Sequence, residues 1–138
     1  MRYMYIISAI EDGKAPPQRL FEEIDKLSKE PDVAARMVAQ GGLMPLAMGG
    51  GARIRLKGGK LNVTDGPFAE TKEVIGGFAI FEFATKQEAL ASAVRFMELH
   101  RLYGEGWEGV CELRPMFDDE QGGCMAIADE LRAAESVQ

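Results

Sequence analysis

The run Val74-Ile75-Gly76-Gly77-Phe78-Ala79-Ile80-Phe81-Glu82-Phe83 carries the strongest structural signal in the chain. It is rich in aromatic and β-branched residues and reads as a strand. A strand with helices on one side and water on the other alternates apolar and polar residues. This one does not: Phe78 and Ile80 fall on one face, Ala79, Phe81 and Phe83 on the other. The amino-terminal run repeats the pattern, with Met1, Tyr3, Tyr5 and Ile7 opposing Met4 and Ile6. One apolar face can pack on helices. The other needs a second cover, and no remaining stretch of chain is large enough to supply it. A second copy is the economical answer, so a homodimer is expected.

Downstream, Thr85-Lys86-Gln87-Glu88 is a capping box, in which the hydroxyl and the glutamate satisfy opposite ends of the first helical turn. Leu90, Ala93, Val94 and Met97 form one stripe of the helix it opens, which should end before Gly104. A loop containing Trp107 leads to a last strand over residues 110–117. Upstream, residues 52–56 and 60–64 flank Gly58-Gly59, which predicts a tight hairpin. Ile54, Leu56, Leu61 and Val63 share one face of it; Arg53, Arg55, Asn62 and Thr64 share the other. Gly49-Gly50-Gly51 is a flexible joint, and residues 43–46 read as a short extended piece. At the start, residues 2–8 read as a strand. A helix begins near Pro17 and breaks at Pro31, whose ring opposes its continuation. A second helical piece is predicted over residues 32–40, capped by Gly41-Gly42. The order strand–helix, hairpin, strand–helix–strand implies an α+β, ferredoxin-like antiparallel sheet with helices on one face.

The totals exclude several classes of function. A chain of 138 residues is expected to form one domain with a real core. Its net charge of −6 opposes binding to a phosphate backbone, so no nucleic-acid partner is expected. The densest basic set is Arg53, Arg55, Lys57 and Lys60, on the hairpin. Cys111 and Cys124 have no paired spacing, which suits a reducing cytoplasm. No charged leader, cleavage site or apolar run of ~18 residues is evident, so neither a signal peptide nor a membrane span is expected.

The chemistry-bearing residues cluster in Asp65-Gly66-Pro67-Phe68-Ala69-Glu70-Thr71-Lys72-Glu73. Turn chemistry alone does not ask for four charges in nine residues. Asp65 reads either as a turn starter, its carboxylate bonded to a backbone amide, or as a carboxylate at the mouth of a cleft. Phe68 is a core plug or a stacking platform. Glu70, Lys72 and Glu73 form either a solvated loop or an inward-facing acid–base cluster. In the functional reading Asp65, Glu70 and Glu73 are the catalytic candidates. Phe68, Lys72, Arg53 and Arg55 are then the ligand-binding ones. His100, the one histidine, lies near a helix end, where a cationic ring suits the dipole. One histidine and two distant thiols argue against a metal site of the usual ligands, and no nucleotide fingerprint is present. No metal and no cofactor are expected.

Residues 60–83 resemble the DGPF group of the YCII-related family: Val63-Thr64-Asp65-Gly66-Pro67-Phe68, then Glu70, Lys72-Glu73, and Gly76-Gly77-Phe78 opening a strand. Met1-Arg2-Tyr3-Met4 and Cys111-Glu112-Leu113-Arg114-Pro115-Met116-Phe117 are similar to the family's first and closing strands. The resemblance covers residues 1–117 and leaves 118–138 as an extension with a possible short helix at Ile127 and Leu131. It implies a ferredoxin-like subunit that pairs into a dimeric α/β barrel. It also implies a small-molecule pocket beside the Asp65–Glu73 loop, with acid–base chemistry that needs no cofactor. The other function it implies is a regulatory or interaction module linked to an extracytoplasmic-function sigma factor. Some members of the wider family carry a His–Asp pair proposed as catalytic. The helix after the first strand holds no histidine here, so that role does not transfer.

Overall fold

The computed structural model describes residues 1–117 and 123–136. Strand β1 (Arg2–Ile10) is followed by helices α1 (Gln18–Lys29) and α2 (Pro31–Ala34) and by strand β2 (Met37–Gly42). A hairpin of β3 (Ala52–Lys57) and β4 (Lys60–Asp65) comes next, then β5 (Glu73–Glu82), α3 (Lys86–Tyr103), β6 (Val110–Pro115) and α4 (Gly123–Glu135). The main sheet is antiparallel, in the order β2-β5-β1-β6. With α1 and α3 as the crossovers this is the ferredoxin-like α+β fold.

Cross-strand register sorts the apolar residues onto two faces. Tyr3 pairs with Phe81 and Tyr5 with Ala79, while Met4 pairs with Ile80 and Ile6 with Phe78. The first set joins Phe83, Ala89 and Ala93 in the core under the helices. The second set lies on the opposite face and is only half-buried. Tyr5 is 2% exposed, and its hydroxyl donates to the Ala89 carbonyl at 2.9 Å. A buried phenol needs such a partner, and this one ties β1 to α3.

Local signals set the helix boundaries. Pro17 precedes α1, and Glu30 turns extended (ψ 135°) ahead of Pro31, as the ring of a following proline demands. At α3 the Thr85 hydroxyl accepts from the Glu88 amide at 3.2 Å, and Glu88 accepts in return from the Ala84 amide at 3.2 Å. The box closes one residue earlier than its usual form. Gly104 ends the helix.

Two expectations fail. Residues 37–42 form strand β2, where a helix was predicted to run on to Gln40. The spacing of Val33 and Met37 imitates a helix, but β5 has a free edge, and pairing with β2 satisfies it. That contact is distant in sequence and overrides local preference. The extended piece expected over residues 43–46 is cut short by a 3₁₀ turn at Leu46–Met48. The hairpin forms as predicted, with positive φ at both Gly58 and Gly59. It is nevertheless no part of the main sheet: it is a separate two-stranded sheet inserted between β2 and β5. Residues 118–122, part of the predicted extension, lie outside the described residues.

Candidate functional site

The Asp65–Glu73 loop is anchored by backbone bonds. The Gly66 amide donates to the Gly51 carbonyl at 2.7 Å, and the Phe68 amide to the Leu46 carbonyl at 3.1 Å. The Leu46 amide in turn donates to the Glu11 carboxylate at 2.8 Å. Glu11 lies just beyond β1, so this chain of bonds fastens the loop to the main sheet. Sequence reading missed Glu11, because nothing near it in sequence hints at a partner 35 residues away.

Three of the seven candidates come together. The Arg53 guanidinium lies 4.1 Å from the centre of the Phe68 ring, and its Nη2 is 3.8 Å from Glu70 Oε2. Glu70 Oε1 meanwhile accepts from the Thr71 and Lys72 amides at 3.0 and 3.3 Å. One carboxylate thus caps a turn and faces a cation stacked on an aromatic face. Each contact is partly exposed and worth about 0.5–1 kcal/mol. The group forms a clamp at the root of the hairpin.

The other four stand apart. Asp65 sits opposite Ala52 at the hairpin base, Arg55 opposite Asn62 on the exposed strands, and Glu73 opposite Ile10. Among the described residues the side chains of Asp65, Lys72 and Arg55 make no hydrogen bond or ion pair. The turn bond expected of Asp65 is not formed. Pro67, two residues on, has no N–H to give, and the Phe68 amide is taken by Leu46.

An apolar cleft lies elsewhere. It has a volume of about 530 Å³ and runs between α1, α3 and the β2–β5 corner of the sheet. Phe21, Ile24 and Leu27 form one wall, Phe96 and Tyr5 line it further in, and Gln40, Ser28, Ser92 and Arg95 supply its polar groups. None of the seven candidates lines it. Its floor explains its existence. Gln40 pairs with Ala79 and Gly42 with Gly77, so three of these four helix-facing positions carry at most a methyl. A Cβ placed on Gly42 would meet nothing within 4 Å. The sequence signal was the two glycine pairs, 41–42 and 76–77, which read as a helix cap and a strand start. Arg95 is engaged by Glu30 and by Asp32, the latter at 3.4 Å.

His100 is buried between Phe96 and Trp107, with ring centres 4.7 and 4.6 Å away. Burial lowers its pKa, which favours the neutral ring, and its Nδ1 donates to the Phe96 carbonyl at 3.1 Å. Packing between these two aromatic rings accounts for the burial of His100. A side chain on Gly109 would collide with Trp107 and the Ser8 carbonyl, which locks this aromatic stack to β1. Cys111 faces the core, and burial raises its pKa. Among the described residues no group of three His, Cys, Asp or Glu side chains is placed to hold a metal ion. No helix among them is long and apolar enough to cross a membrane.

The YCII-related domain, as a family model, matches residues 1–98. The chain belongs to the YCII-related family. The match takes in β1 through most of α3, including both halves of the clamp and the cleft floor. No curated protein matches this YCII-related chain.

Proposed function

We propose that this YCII-related protein binds a small, neutral, mainly apolar molecule in the cleft between α1, α3 and the β2–β5 corner. The observation that carries the reading is the small-residue floor: an apolar space of about 530 Å³ left open at Gly42, where an added Cβ would meet nothing within 4 Å. That volume falls in the range of small-molecule sites, and Gln40 offers one polar group to orient a ligand. The protein acts as a cytoplasmic homodimer, paired through the sheet face that bears Met4, Ile6, Phe78 and Ile80, as in a dimeric α/β barrel. In the acid–base extension of this reading, Asp65, Glu70 and Glu73 are general bases, and Phe68, Lys72, Arg53 and Arg55 hold the substrate. That extension needs these groups to line a pocket formed only on pairing.

The test fills the cleft. Gly42→Leu should keep the circular dichroism spectrum and weaken binding of a neutral solvatochromic aromatic dye at least ~10-fold, the effect of about 1.4 kcal/mol. Equal binding by both proteins, or none by wild type, removes the cleft from consideration. A second reading is a regulatory or interaction module. The exposed hairpin favours it, and a sigma factor is the partner class implied by the resemblance.

A further inference from the structure

Helix α1 covers the cleft without being packed down along its length. Leu20 is its one buried residue, and the Arg19 guanidinium lies 4.9 Å from the centre of the Tyr103 ring at the end of α3. These contacts pin the amino-terminal end. Beyond them Phe21, Ile24 and Leu27 line the cleft, and Phe21 is still 55% exposed. The polar side chains of the helix pair within it: Glu22 with Gln18, Glu23 with Arg19 and Lys26, Asp25 with Lys29. Among the described residues no side-chain hydrogen bond or ion pair ties residues 21–29 to another element. The helix then ends in a joint of one residue, Glu30, whose extended backbone (ψ 135°) separates α1 from α2. Rotation at such a joint tilts one helix without unwinding either.

The joint is held from α3. Arg95 pairs with the Glu30 carboxylate on the joint itself and with Asp32, at 3.4 Å, in the first turn of α2. One guanidinium grips the joint and the helix beyond it, and its planar fork suits two carboxylates at once. Arg95 lines the cleft; the two carboxylates do not. Past α2 the chain is anchored again, since Val33 packs on the core and the Arg36 carbonyl accepts from the Glu82 amide at 2.8 Å. The stretch from Phe21 to Glu30 thus spans two fixed points.

We infer that this stretch of α1 is a lid on the cleft, pivoting at Leu20 and latched at Glu30 by Arg95. The inference rests on the ligand-binding reading above and adds how the cleft is entered. The strength of the latch suits the task. Its three side chains are 45–66% exposed, and ion pairs of that kind are weak and screened by salt. Such a latch holds the lid down at rest and leaves the open form within reach. An apolar ligand then favours the closed form, because Phe21, Ile24 and Leu27 bury surface against it as the lid returns.

Stopped-flow mixing with a neutral solvatochromic aromatic dye tests it in wild type and in the double variant Glu30→Gln, Asp32→Asn. Both positions are exposed and outside the cleft lining, so the variant should keep its far-UV spectrum and its cooperative melt. The expected result is a dye association rate about 5-fold faster in the variant at low salt, as for loss of two exposed ion pairs. In wild type the rate should climb toward that of the variant as sodium chloride screens the latch; in the variant it should stay level. Equal rates at low salt, or the same salt response in both proteins, overturn the latch and leave the cleft standing as a binding site. No dye binding by wild type overturns both. Hydrogen exchange gives an independent readout: the amides of residues 24–29 should exchange faster in the variant than in wild type, and more slowly in either protein once dye saturates it. Exchange that responds to neither the variant nor the dye overturns the lid.

Discussion

Tyr5 and Leu61 are both large side chains on antiparallel strands, yet one is 2% exposed and the other 71%. Tyr5 sits where two helices and three strands converge, and its ring, hydroxyl and neighbours are all engaged. Leu61 sits on a ribbon whose only regular partner is the other half of the same ribbon. Strand propensity is met equally in both. What separates them is the presence of a second layer, and a hairpin inserted between β2 and β5 has none among the described residues.

The contrast should show first in stability. Tyr5→Ala removes a fully buried ring and should cost about 3–5 kcal/mol, by analogy with buried aromatic truncations. Chemical denaturation measures it, and a loss under ~1 kcal/mol would show that the core is not organised around this residue. Acid should expose an intermediate effect confined to the main body. Burial holds the folded pKa of His100 below its ordinary value of about 6.5. The unfolded chain therefore takes up the proton first as pH falls. The stability that the neutral ring supports is fully present above pH ~6.5 and is lost as pH drops from there toward the lower folded value, by at most about 1.4 kcal/mol per pH unit. Glu23 and Glu98 are held low by hydrogen bonds from Lys26 and Arg101, so they act only in more acid solution. Melting temperatures at pH 7 and pH 5.5 should differ more in wild type than in His100→Phe; equal slopes would remove His100 as the cause. Least of all should be Leu61→Ala, measured at dilutions where the chain is monomeric. A substitution outside the core should change stability by no more than ~0.5 kcal/mol. A larger loss would mean that the hairpin is covered by its own chain, which erases the contrast.

The α+β class, the helix starts at Pro17 and Thr85, the hairpin turn at Gly58-Gly59 and the doubly apolar strands are all legible in the sequence. Each rests on neighbours a few residues apart. The second strand of the sheet was not. Residues 37–42 satisfy a helical spacing as well as a strand, and only the free edge of β5 separates the two readings. Sequence order reached the right fold while the hairpin stood where β2 belongs. The loop motif was legible as a place, since Arg53, Phe68 and Glu70 do meet there. Its geometry was not, because that depends on Leu46 and Glu11, far up the chain.

The sequence by itself determined which segments fold locally, where they cap and turn, and that both sheet faces are apolar. Side-chain periodicity and short-range hydrogen bonding need no knowledge of the rest of the molecule. Tertiary structure alone decided that a cleft opens over Gly42 and Gly77, that the hairpin stands outside the core, and that Arg53 is clamped on Phe68. A glycine pair reads as a cap, a turn or a floor until the elements around it are placed. Space, exposure and charge pairing are properties of residues brought together from distant positions.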